Sequence, residues 1–580
     1  MKNYKLKVGV LLSSALMMVA VSCSDEFLDV PATGALAEAQ LTTLAGLEAS
    51  LIAAYSQVNG RGNRLASPSN WVWGSIRGGD ANKGTDPGDF STINPIQRFE
   101  INAASGEVGS KWNADYEGIA RANNVLRLMA NKAADVTVAD EARISAQAKF
   151  LRAHYYFELK RDYGNTPYVD ETVDYGSGLE EVSNTQDLYP FIEADLKFAI
   201  ANLPAVPSQV GRINSWGAKA LLAKVYLYQK KYAEAKTLFD DVIANGVTSK
   251  GDKYGLVANY GDMYRGANDN HKESVWVYQA AANTGSTANA NPEFDLNYPY
   301  NGGPAGCCGF FQPSFTFANS FRTDANGLPL LDGSYNAPAN RVKNDMGILS
   351  FDPLKPSENV FTPDAGPLDP RIDHTIGRRD LPYLDWGNHP GAAWIRNQPN
   401  GGPYTPKKYI YQRAEIGKFQ DGSSWTAGYT GMNFMMIRFA DVLLMAAEVE
   451  VEVGSLEKAR DYVNMIRTRA MNSNLKTGGV DAANYKIGLY TTPFASAAAA
   501  RSAVRFERKL ELGMEGHRFY DLVRWDIIQS EMDAYFALDG SILTAALGGA
   551  KYTDKYKFVP IPQDQIDLVG PEILIQNPGF

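Results

Sequence analysis

The sequence predicts a mostly α-helical protein in which a scaffold of helix pairs is interrupted by a long, loop-rich insertion. Apolar and small residues recur at helical spacing along much of the chain. Similar spacing returns in three separate stretches, which is typical of a helical repeat. The periodicity is lost between about residues 271 and 431, where glycine, proline and asparagine are frequent. We therefore expect scaffold helices at about residues 100–265 and 432–535, with the insertion between them.

The N-terminal residues are typical of a bacterial lipoprotein signal peptide. Three lysines precede an apolar run at residues 8–21, which is too short to cross a hydrocarbon core of about 30 Å. The run ends at Ser22 and Cys23, so we expect residues 1–22 to be removed and Cys23 to be acylated. Two or more acyl chains anchor a protein stably on a membrane. A plain secretory peptide is the alternative, and residues 23–580 are predicted to form one mature domain.

The helices of the first half follow from the spacing of their apolar residues. Residues 112–129 and 143–162 each carry apolar side chains three and four positions apart, which predicts two long helices. Further along, residues 216–246 match the spacing of a tetratricopeptide unit, with one helix ending near Tyr228 and a second at residues 232–245. We expect its small residues Ala223 and Ala235 to lie where the two helices touch, because small side chains permit close approach.

Residues 507–525 mix charges and apolar side chains at spacings of three and four. Such a segment can bury one helical side while acids and bases pair on another. Gly513 and Gly516 interrupt it, and because glycine is unfavourable inside a helix, they predict a helix end, a tight turn and a close backbone approach. We interpret the charges as a structural network of ion pairs. A catalytic cluster of carboxylates and arginines is the alternative.

Composition argues against several classes of ligand and site. The formal net charge is −9 with no basic block, which argues against nucleic acid and against direct binding of polyanions. Aromatic residues reach 11%, and many lie in segments rich in glycine, proline and asparagine, which suggests a binding surface. Besides Cys23, only the adjacent Cys307 and Cys308 occur, so a disulfide framework and a CxxC site are excluded. Free thiols are the expected state of this pair, and a disulfide between them is the alternative.

The first candidate ligand-binding patch lies at residues 70–89. Trp71 and Trp73 alternate, so an extended segment would project both indoles to one face. Polar side chains follow among several glycines, and these donors and acceptors suit the hydroxyl groups of a sugar, while indole suits its C–H face. The polar candidates are Arg77, Asp80, Asn82 and Lys83. A calcium loop formed by Asp80, Asp86 and Asp89 is the competing interpretation.

The second candidate patch lies in the insertion. We predict that Tyr298 and either Phe310 or Phe311 join the tryptophans of the first patch in an aromatic platform beside Arg77 and Asp80. Further aromatic residues of the insertion, which offer alternative positions for the ligand, are Trp386, Trp394 and Trp425. Aromatic side chains that only fasten loops to the scaffold are the structural alternative for any single one of them.

Enzymatic function is disfavoured. The chain has no HExxH, GxSxG, GxGxxG or Walker sequence, and its five histidines lack metal-ligand spacing. His154 and His517 fall in predicted packed helices, which favours a structural role. A glycosidase would need two carboxylates about 5–10 Å apart, an arrangement that sequence does not reveal. No catalytic residue, metal or cofactor is therefore predicted, apart from the calcium alternative.

Five short segments carry a resemblance to a known family: residues 507–525 (ERKLELGMEGHRFYDLVRW), 369–371 (DPR), 438–448 (RFADVLLMAAE), 560–562 (PIP) and 576–580 (QNPGF). They resemble the SusD/RagB-like family, the nutrient-binding lipoproteins on the surface of Bacteroidetes. The resemblance implies a SusD-like fold on the outer membrane, facing the exterior. It also implies capture of an oligosaccharide and its delivery to a SusC-like TonB-dependent transporter, without catalysis. Binding of peptides, or a scaffold used only for protein assembly, are the alternative functions.

Overall fold

The computed structural model describes residues 38–62, 66–291, 296–349 and 360–580. The predicted signal peptide and the predicted acylation site Cys23 lie outside the described residues. Most regular structure in the described part is helical, as the sequence predicts. No helix in these ranges combines the length and the apolarity that a membrane crossing requires.

Twelve helices of seven or more residues are labelled here in chain order. They are α1 (Leu44–Ser56), α2 (Gly106–Ala130), α3 (Val138–Tyr163), α4 (Tyr189–Asn202), α5 (Ser215–Tyr228), α6 (Tyr232–Asn245), α7 (Phe439–Val453), α8 (Leu456–Met471), α9 (Ala497–Leu512), α10 (Arg518–Arg524), α11 (Ile528–Ile542) and α12 (Gln563–Val569). Shorter helical segments are Glu38–Leu41, Asn94–Gln97, Phe315–Ser320, Ile372–Thr375, Gln398–Gly401 and Thr544–Leu547.

The scaffold helices pack in sequence order. Each helix from α2 to α6 contacts the next, and α6 then packs directly on α7, although almost two hundred residues separate them in the chain. Helices α7, α8 and α9 contact one another and extend the array. The insertion therefore leaves the helical array after α6 and returns to it at α7 without interrupting the packing.

The predicted helices are present, although α2 and α3 begin six and five residues earlier than predicted. The predicted segments 112–129 and 143–162 lie within α2 and α3, and the pair α5 and α6 ends and begins where the sequence indicates. Asn214 caps α5, because its side chain accepts a hydrogen bond from the Gly217 N–H at 2.8 Å. Ala223 and Ala235 are fully buried, as a close contact between these helices requires.

Strands are short and form antiparallel pairs. These pairs are β1 (Ala81–Gly84) with β3 (Phe310–Pro313), β2 (Ser274–Tyr278) with β6 (Phe434–Arg438), β4 (Ile376–Gly377) with β5 (Thr405–Pro406), and β7 (Lys476–Thr477) with β8 (Val480–Asp481). Strands β2 and β6 lie near the two ends of the insertion and hold its base together. Strands β1 and β3 attach the segment after α1 to the insertion, with Asn82 opposite Gln312 and Gly84 opposite Phe310.

The glycines of the segment at residues 507–525 mark the turn that the sequence predicts. Helix α9 ends at Leu512 and α10 begins at Arg518. Gly516 has a φ of +77°, and a Cβ atom there would collide with the backbone carbonyl of Ser69. A Cβ atom at Gly513 would likewise overlap the ring of Phe317. Glycine is therefore required at both positions, and the predicted close backbone approach is confirmed.

Candidate functional site

The fold brings the two sequence-predicted patches together. Strand pairing of β1 with β3 places Phe310 and Phe311 beside the segment that carries Trp71. The Trp71 ring lies edge-on to both, with centroid distances of 6.4 Å to Phe310 and 5.6 Å to Phe311. Aromatic rings favour this edge-to-face arrangement. The two patches thus form one aromatic cluster, whose location decides whether it can reach a ligand.

The cluster lies inside the protein, which corrects the expectation of an exposed platform. The nine predicted ligand-binding side chains are Trp71, Trp73, Arg77, Asp80, Asn82, Lys83, Tyr298, Phe310 and Phe311, and none is more than 3% exposed. The predicted extended conformation is also wrong, because Trp71–Ile76 forms a π-helical turn in which neighbouring side chains do not alternate between two faces. A ligand on the outer surface therefore does not stack on these rings.

The predicted polar groups bind protein atoms instead of facing solvent. Arg77 donates to the Tyr556 carbonyl at 2.8 Å, and its guanidinium lies 3.7 Å from the centre of the Phe519 ring. Asp80 accepts from the Met514 N–H at 3.2 Å, and burial raises the pKa of this carboxyl to about 6. Their partners belong to the C-terminal part of the chain. These side chains therefore join distant segments in the core.

Lys83 holds a surface loop in place from the interior of the protein. Its buried ammonium donates to the backbone carbonyls of Asp86 at 3.0 Å, Pro87 at 3.4 Å and Asp89 at 2.7 Å. Burial lowers the pKa of Lys83 to about 8, although the negative charges of Asp89 and Asp86 oppose this change. From the other side, Asn400 donates to the carbonyls of Gly84 and Thr85. The position of the loop at residues 86–89 is therefore fixed by several hydrogen bonds.

The supported loop carries charged groups at the surface. The exposed Arg396 binds Asp86 at 2.6 Å and Asp89 at 2.5 Å, and its guanidinium lies 5.6 Å from the centre of the Tyr300 ring. Asp80 is bound elsewhere, so the three aspartates of the calcium alternative do not meet. Among the residues that the structure describes, no three acidic, histidine or cysteine side chains form a metal-binding group.

Two buried aromatic residues of the insertion, Trp394 and Tyr411, hold the loop that carries Tyr300. The Tyr300 N–H donates to the Trp394 carbonyl at 2.8 Å, and a Cβ atom at Gly303 would press on the Trp394 ring. The Tyr411 hydroxyl accepts from the Ala305 N–H at 2.9 Å.

The half-buried Trp386 extends the surface further. It lies 6.0 Å from Tyr411 between ring centres and donates to its carbonyl at 3.1 Å. The guanidinium of the exposed Arg413 lies 5.9 Å from the Trp386 ring. We name the surface formed by Tyr300, Trp386, Arg396 and Arg413 the insertion rim. Sequence reasoning named Trp386 as an alternative and included Tyr300 only among the aromatic residues of the insertion, and it missed the two arginines.

Cys307 and Cys308 lie in the loop between Tyr300 and β3, and they are joined by a disulfide bond. The expectation of two free thiols is therefore wrong, and the alternative of a bond between neighbours is what the structure contains. Cys307 is half-buried and Cys308 is buried. The third alternative aromatic residue of the insertion, Trp425, is 66% exposed on a loop that Asp421 attaches to the Asn283 N–H at 2.8 Å.

The charges at residues 507–525 form a buried structural network. Arg438 binds Glu511 at 2.5 Å and Glu515 at 2.8 Å, and Lys408 binds Glu515 at 2.6 Å. Burial alone would raise the pKa of Glu515, but the Arg438 and Lys408 charges lower it to about 2. Arg371 donates to Glu511 as well, at 3.0 Å. Carboxylates held in ionised form by several buried cations stabilise a fold, which favours the structural interpretation.

The predicted core histidines are buried as well. His154 and His517 are 6% and 8% exposed, and burial lowers the pKa of each to about 4. Both rings are therefore neutral at physiological pH. His154 lies inside α3 as the sequence predicts, whereas His517 lies in the turn just before α10 and not inside a helix. The burial of both rings agrees with the predicted structural role.

The sequence matches known families along much of its length. The profile of the SusD family matches residues 272–580, and a profile described as starch-binding and associating with the outer membrane matches residues 89–227. SusD-like protein P2 of Formosa agariphila is 26% identical over 544 residues, which cover 90% of this chain and 91% of that protein.

Solved structures share the fold. A structure described as a laminarin-binding SusD-like protein has 24% identity and a TM-score of 0.66, and the match covers 92% of this chain and 99% of that chain. Surface glycan-binding protein A from Bacteroides fluxus has 23% identity and a TM-score of 0.62, with the same coverage. At these identities the structural likeness shows a mostly helical SusD-like fold.

Proposed function

We propose, from the premise that this chain belongs to the SusD family, that it binds oligosaccharides at the outer membrane. Relatives that share the fold are described as binding laminarin or as surface glycan-binding proteins. The profile over residues 89–227 is described as starch-binding and outer-membrane-associated. These descriptions support a carbohydrate ligand, and the structure of this chain supplies a surface that suits one.

The insertion rim is the observation that carries this proposal. Tyr300 and Trp386 present partly exposed aromatic rings, and the C–H face of a sugar packs on such rings. Arg396 and Arg413 add exposed donors that can form hydrogen bonds with hydroxyl groups. Near Arg396, Lys83 and Asn400 hold the surface loop from below, so little ordering is required when a ligand binds. Of the nine buried candidates, Lys83 supports this surface, and none of the nine touches the ligand in this proposal.

The finer steps of the proposed function concern anchoring and transfer. We propose that Cys23 is acylated and that the lipid holds the protein on the outer membrane, facing the exterior. The captured oligosaccharide then passes to a SusC-like TonB-dependent transporter, without any bond being broken. The signal-peptide-like residues that end at Ser22 and Cys23, and the family membership, support these steps.

Titration of the purified full chain in detergent tests the binding proposal. A panel of oligosaccharides and a peptide mixture are compared by calorimetry, and the variants Tyr300→Ala and Trp386→Ala are then titrated with the glycan that binds. Each loss of a stacking face should remove about 1–2 kcal/mol of binding free energy, which is roughly a tenfold weakening. The control is Phe198→Ala on α4, which removes an exposed ring from the scaffold.

The outcomes separate the alternatives. Binding of peptides without binding of any glycan favours the peptide alternative, and binding of neither favours a scaffold for protein assembly. If all three variants bind the glycan with the affinity of wild type, the site lies away from the insertion rim. New reducing ends after incubation with a glycan would contradict the absence of catalysis.

The anchoring step is tested separately in cells. In cells that lack the transporter, Cys23→Ala should move the protein from the membrane fraction to the soluble fraction, because the proposed lipid is removed. Firm membrane association of this variant would contradict the lipid anchor. Affinity purification of the acylated protein from the membrane tests the partner. A SusC-like transporter should be recovered with it, and its absence from the purified material would contradict the proposed partner.

A further inference from the structure

A second cleft lies between α9, α11 and the loop at residues 331–341. Its volume of about 590 Å³ falls within the range of roughly 300–1,000 Å³ that is usual for ligand pockets. Four side chains of α9 line it at spacings of three and four, so they share one helical face. They are Ser502, Arg505, Phe506 and Lys509. On α11, the exposed Ala534 and Ala537 leave room opposite this face.

The charge of the cleft is opposite to that of the whole protein. Four basic side chains line it, against only Asp332 and Glu531, which gives a formal charge of +2 in a chain of net charge −9. The basic side chains are Arg341, Arg505, Lys509 and Arg518. Arg518 is paired with Glu531 at 2.8 Å. In the part of the chain that the structure describes, the other three basic groups form no ion pair across the cleft.

Lys509 is the most informative of these groups. It is only 6% exposed, yet no acidic side chain of the described residues lies within ion-pair distance of its ammonium. It donates to the Tyr335 hydroxyl at 3.0 Å and lies 4.9 Å from the centre of the Tyr335 ring. A neutral hydroxyl compensates a buried ammonium far less than a carboxylate does. Among the described residues this cation therefore has no direct ion pair, and its positive charge acts only at longer range on Glu531 across the cleft.

Arg505 is also incompletely paired. Its Nε is buried and has no hydrogen-bond partner among the described residues, and its guanidinium lies 5.0 Å from the centre of the Trp525 ring. Burial lowers the pKa of Arg505, with a smaller opposing effect of Glu448. Since Arg505 and Lys509 stand one helical turn apart on the same face, both can reach one bound anion. An anionic ligand would supply a direct ion pair to both groups.

The cleft also offers an aromatic surface. Phe506 is half-buried, and its ring meets the Tyr335 ring edge-on at 5.7 Å between centres. An apolar face beside two cations matches a sugar that carries an acidic group, because its C–H face packs on the ring while its charge meets Lys509 and Arg505. A free inorganic anion would leave Phe506 without a role.

We propose that this cleft is a subsite for anionic oligosaccharides, in which Lys509 and Arg505 bind the carboxylate or sulfate group and Phe506 packs against the sugar ring. The inference rests on the proposed function, since it names the class of glycan that the protein takes. The cleft shares no lining residue with the insertion rim, so the two surfaces can be altered independently. The net charge alone argues against polyanions because it averages over the whole surface and hides this local excess of positive charge.

The experiment compares an acidic sugar with its neutral counterpart. The full chain in detergent is titrated with trigalacturonate, with the neutral trisaccharide obtained by reducing its carboxyl groups, and with a sulfated galactose trisaccharide. Wild type should bind at least one acidic probe ten or more times more tightly than the neutral one, and this preference should shrink as salt increases. Lys509→Met and Arg505→Gln should each reduce the preference at least tenfold. The acidic arms distinguish a carboxylate from a sulfate ester.

The control is Arg501→Gln, which removes the same charge from α9 where the arginine is paired with Glu452 at 2.8 Å. It should keep the preference. Equal binding of acidic and neutral probes, or an unchanged preference in both cleft variants, would overturn the inference while glycan binding at the rim still stands. Binding of no glycan, charged or neutral, overturns the proposed function together with it.

Discussion

The two sides of helix α9 use charge in opposite ways. On one side, Glu507 and Glu511 are completely buried and each meets arginines at hydrogen-bond distance. On the other side, Arg505 and Lys509 border a cleft and have no carboxylate partner among the described residues. The sequence alternates these groups within one helix. On this helix, direct ion pairs in the core therefore mark charges that stabilise the fold, and cations beside the cleft without a carboxylate in direct contact are available to a ligand.

The paired side is a connected network. Arg371 binds Asp369 at 2.7 Å, Glu507 at 2.7 Å and Glu511 at 3.0 Å. Arg438 joins Glu511 to Glu515 and so connects α9 with the turn that follows it. Removing one member leaves several opposite charges buried without compensation, which is costly in a low-dielectric interior.

The largest expected effect is the loss of Arg438. Arg438→Met keeps a long side chain but leaves Glu511 and Glu515 with fewer cations, so the free energy of unfolding should fall by about 3–5 kcal/mol. Urea unfolding followed by circular dichroism measures this change. A decrease of less than about 1 kcal/mol in the free energy of unfolding would contradict a stabilising role of the ion pairs on this side of α9.

The second largest expected effect is a loss of stability in acid, where the paired carboxylates become protonated. The pKa values of Glu515 and Asp521 are lowered to about 2, because Arg438 and Lys408 act on the first and Arg508 and Arg524 on the second, against the effect of burial. A lowered folded-state pKa gives stability that is present above the unfolded value and is lost as pH falls through the folded value. Stability should therefore fall between about pH 4.5 and 2, by on the order of 3 kcal/mol for Glu515 alone.

Thermal unfolding between pH 7 and pH 2 measures this loss, with Glu515→Gln as the comparison. That variant should start less stable and show a smaller decline below pH 4.5, because one titrating group is gone. An identical decline in both proteins would assign acid sensitivity to other carboxylates.

Asp80 provides an incompletely paired acid for the same comparison. It is buried, one of its oxygens has no hydrogen-bond partner in the part of the chain that the structure describes, and burial raises its pKa to about 6. The stability linked to its proton is present below its unfolded pKa and is lost as pH rises through about 6. The Asp80→Asn variant should therefore lose about 2 kcal/mol less than wild type between pH 4 and pH 7. Urea unfolding of both proteins at pH 4 and pH 7 measures this difference. A larger decrease in the free energy of unfolding of the variant than of wild type would contradict the prediction.

The sequence predicts the scaffold well because the scaffold depends on local spacing. The boundaries of α6, the burial of Ala223 and the turn at Gly516 follow from residues within one or two helical turns of each other. The ion network is also visible as alternating charges at residues 507–525. In these cases the residues that carry the signal lie on the elements that they stabilise.

The ligand surfaces could not be predicted in the same way. Trp71 and Trp73 look exposed in a glycine-rich segment, but β3 and the turn at Gly516, more than two hundred residues away, cover them. Tyr300 and Arg396 meet only because the insertion folds back on itself. Tyr335 and Lys509 are likewise separated by 174 residues in the chain. Exposure and charge balance depend on these long-range contacts, which periodicity does not contain.

The smallest expected effect is that of Lys509→Met on stability. Lys509 and Lys408 are both buried lysines that lie against tyrosine rings, but only Lys408 binds a carboxylate, Glu515, at 2.6 Å. Lys408→Met should therefore destabilise the protein by several kcal/mol, because it leaves a buried carboxylate with one cation fewer. Lys509→Met removes a buried charge that has no such partner, so its free energy of unfolding should stay within about 1 kcal/mol of wild type. Urea unfolding of the two variants side by side measures the contrast, and equal losses would mean that Lys509 belongs to the structural charges of α9.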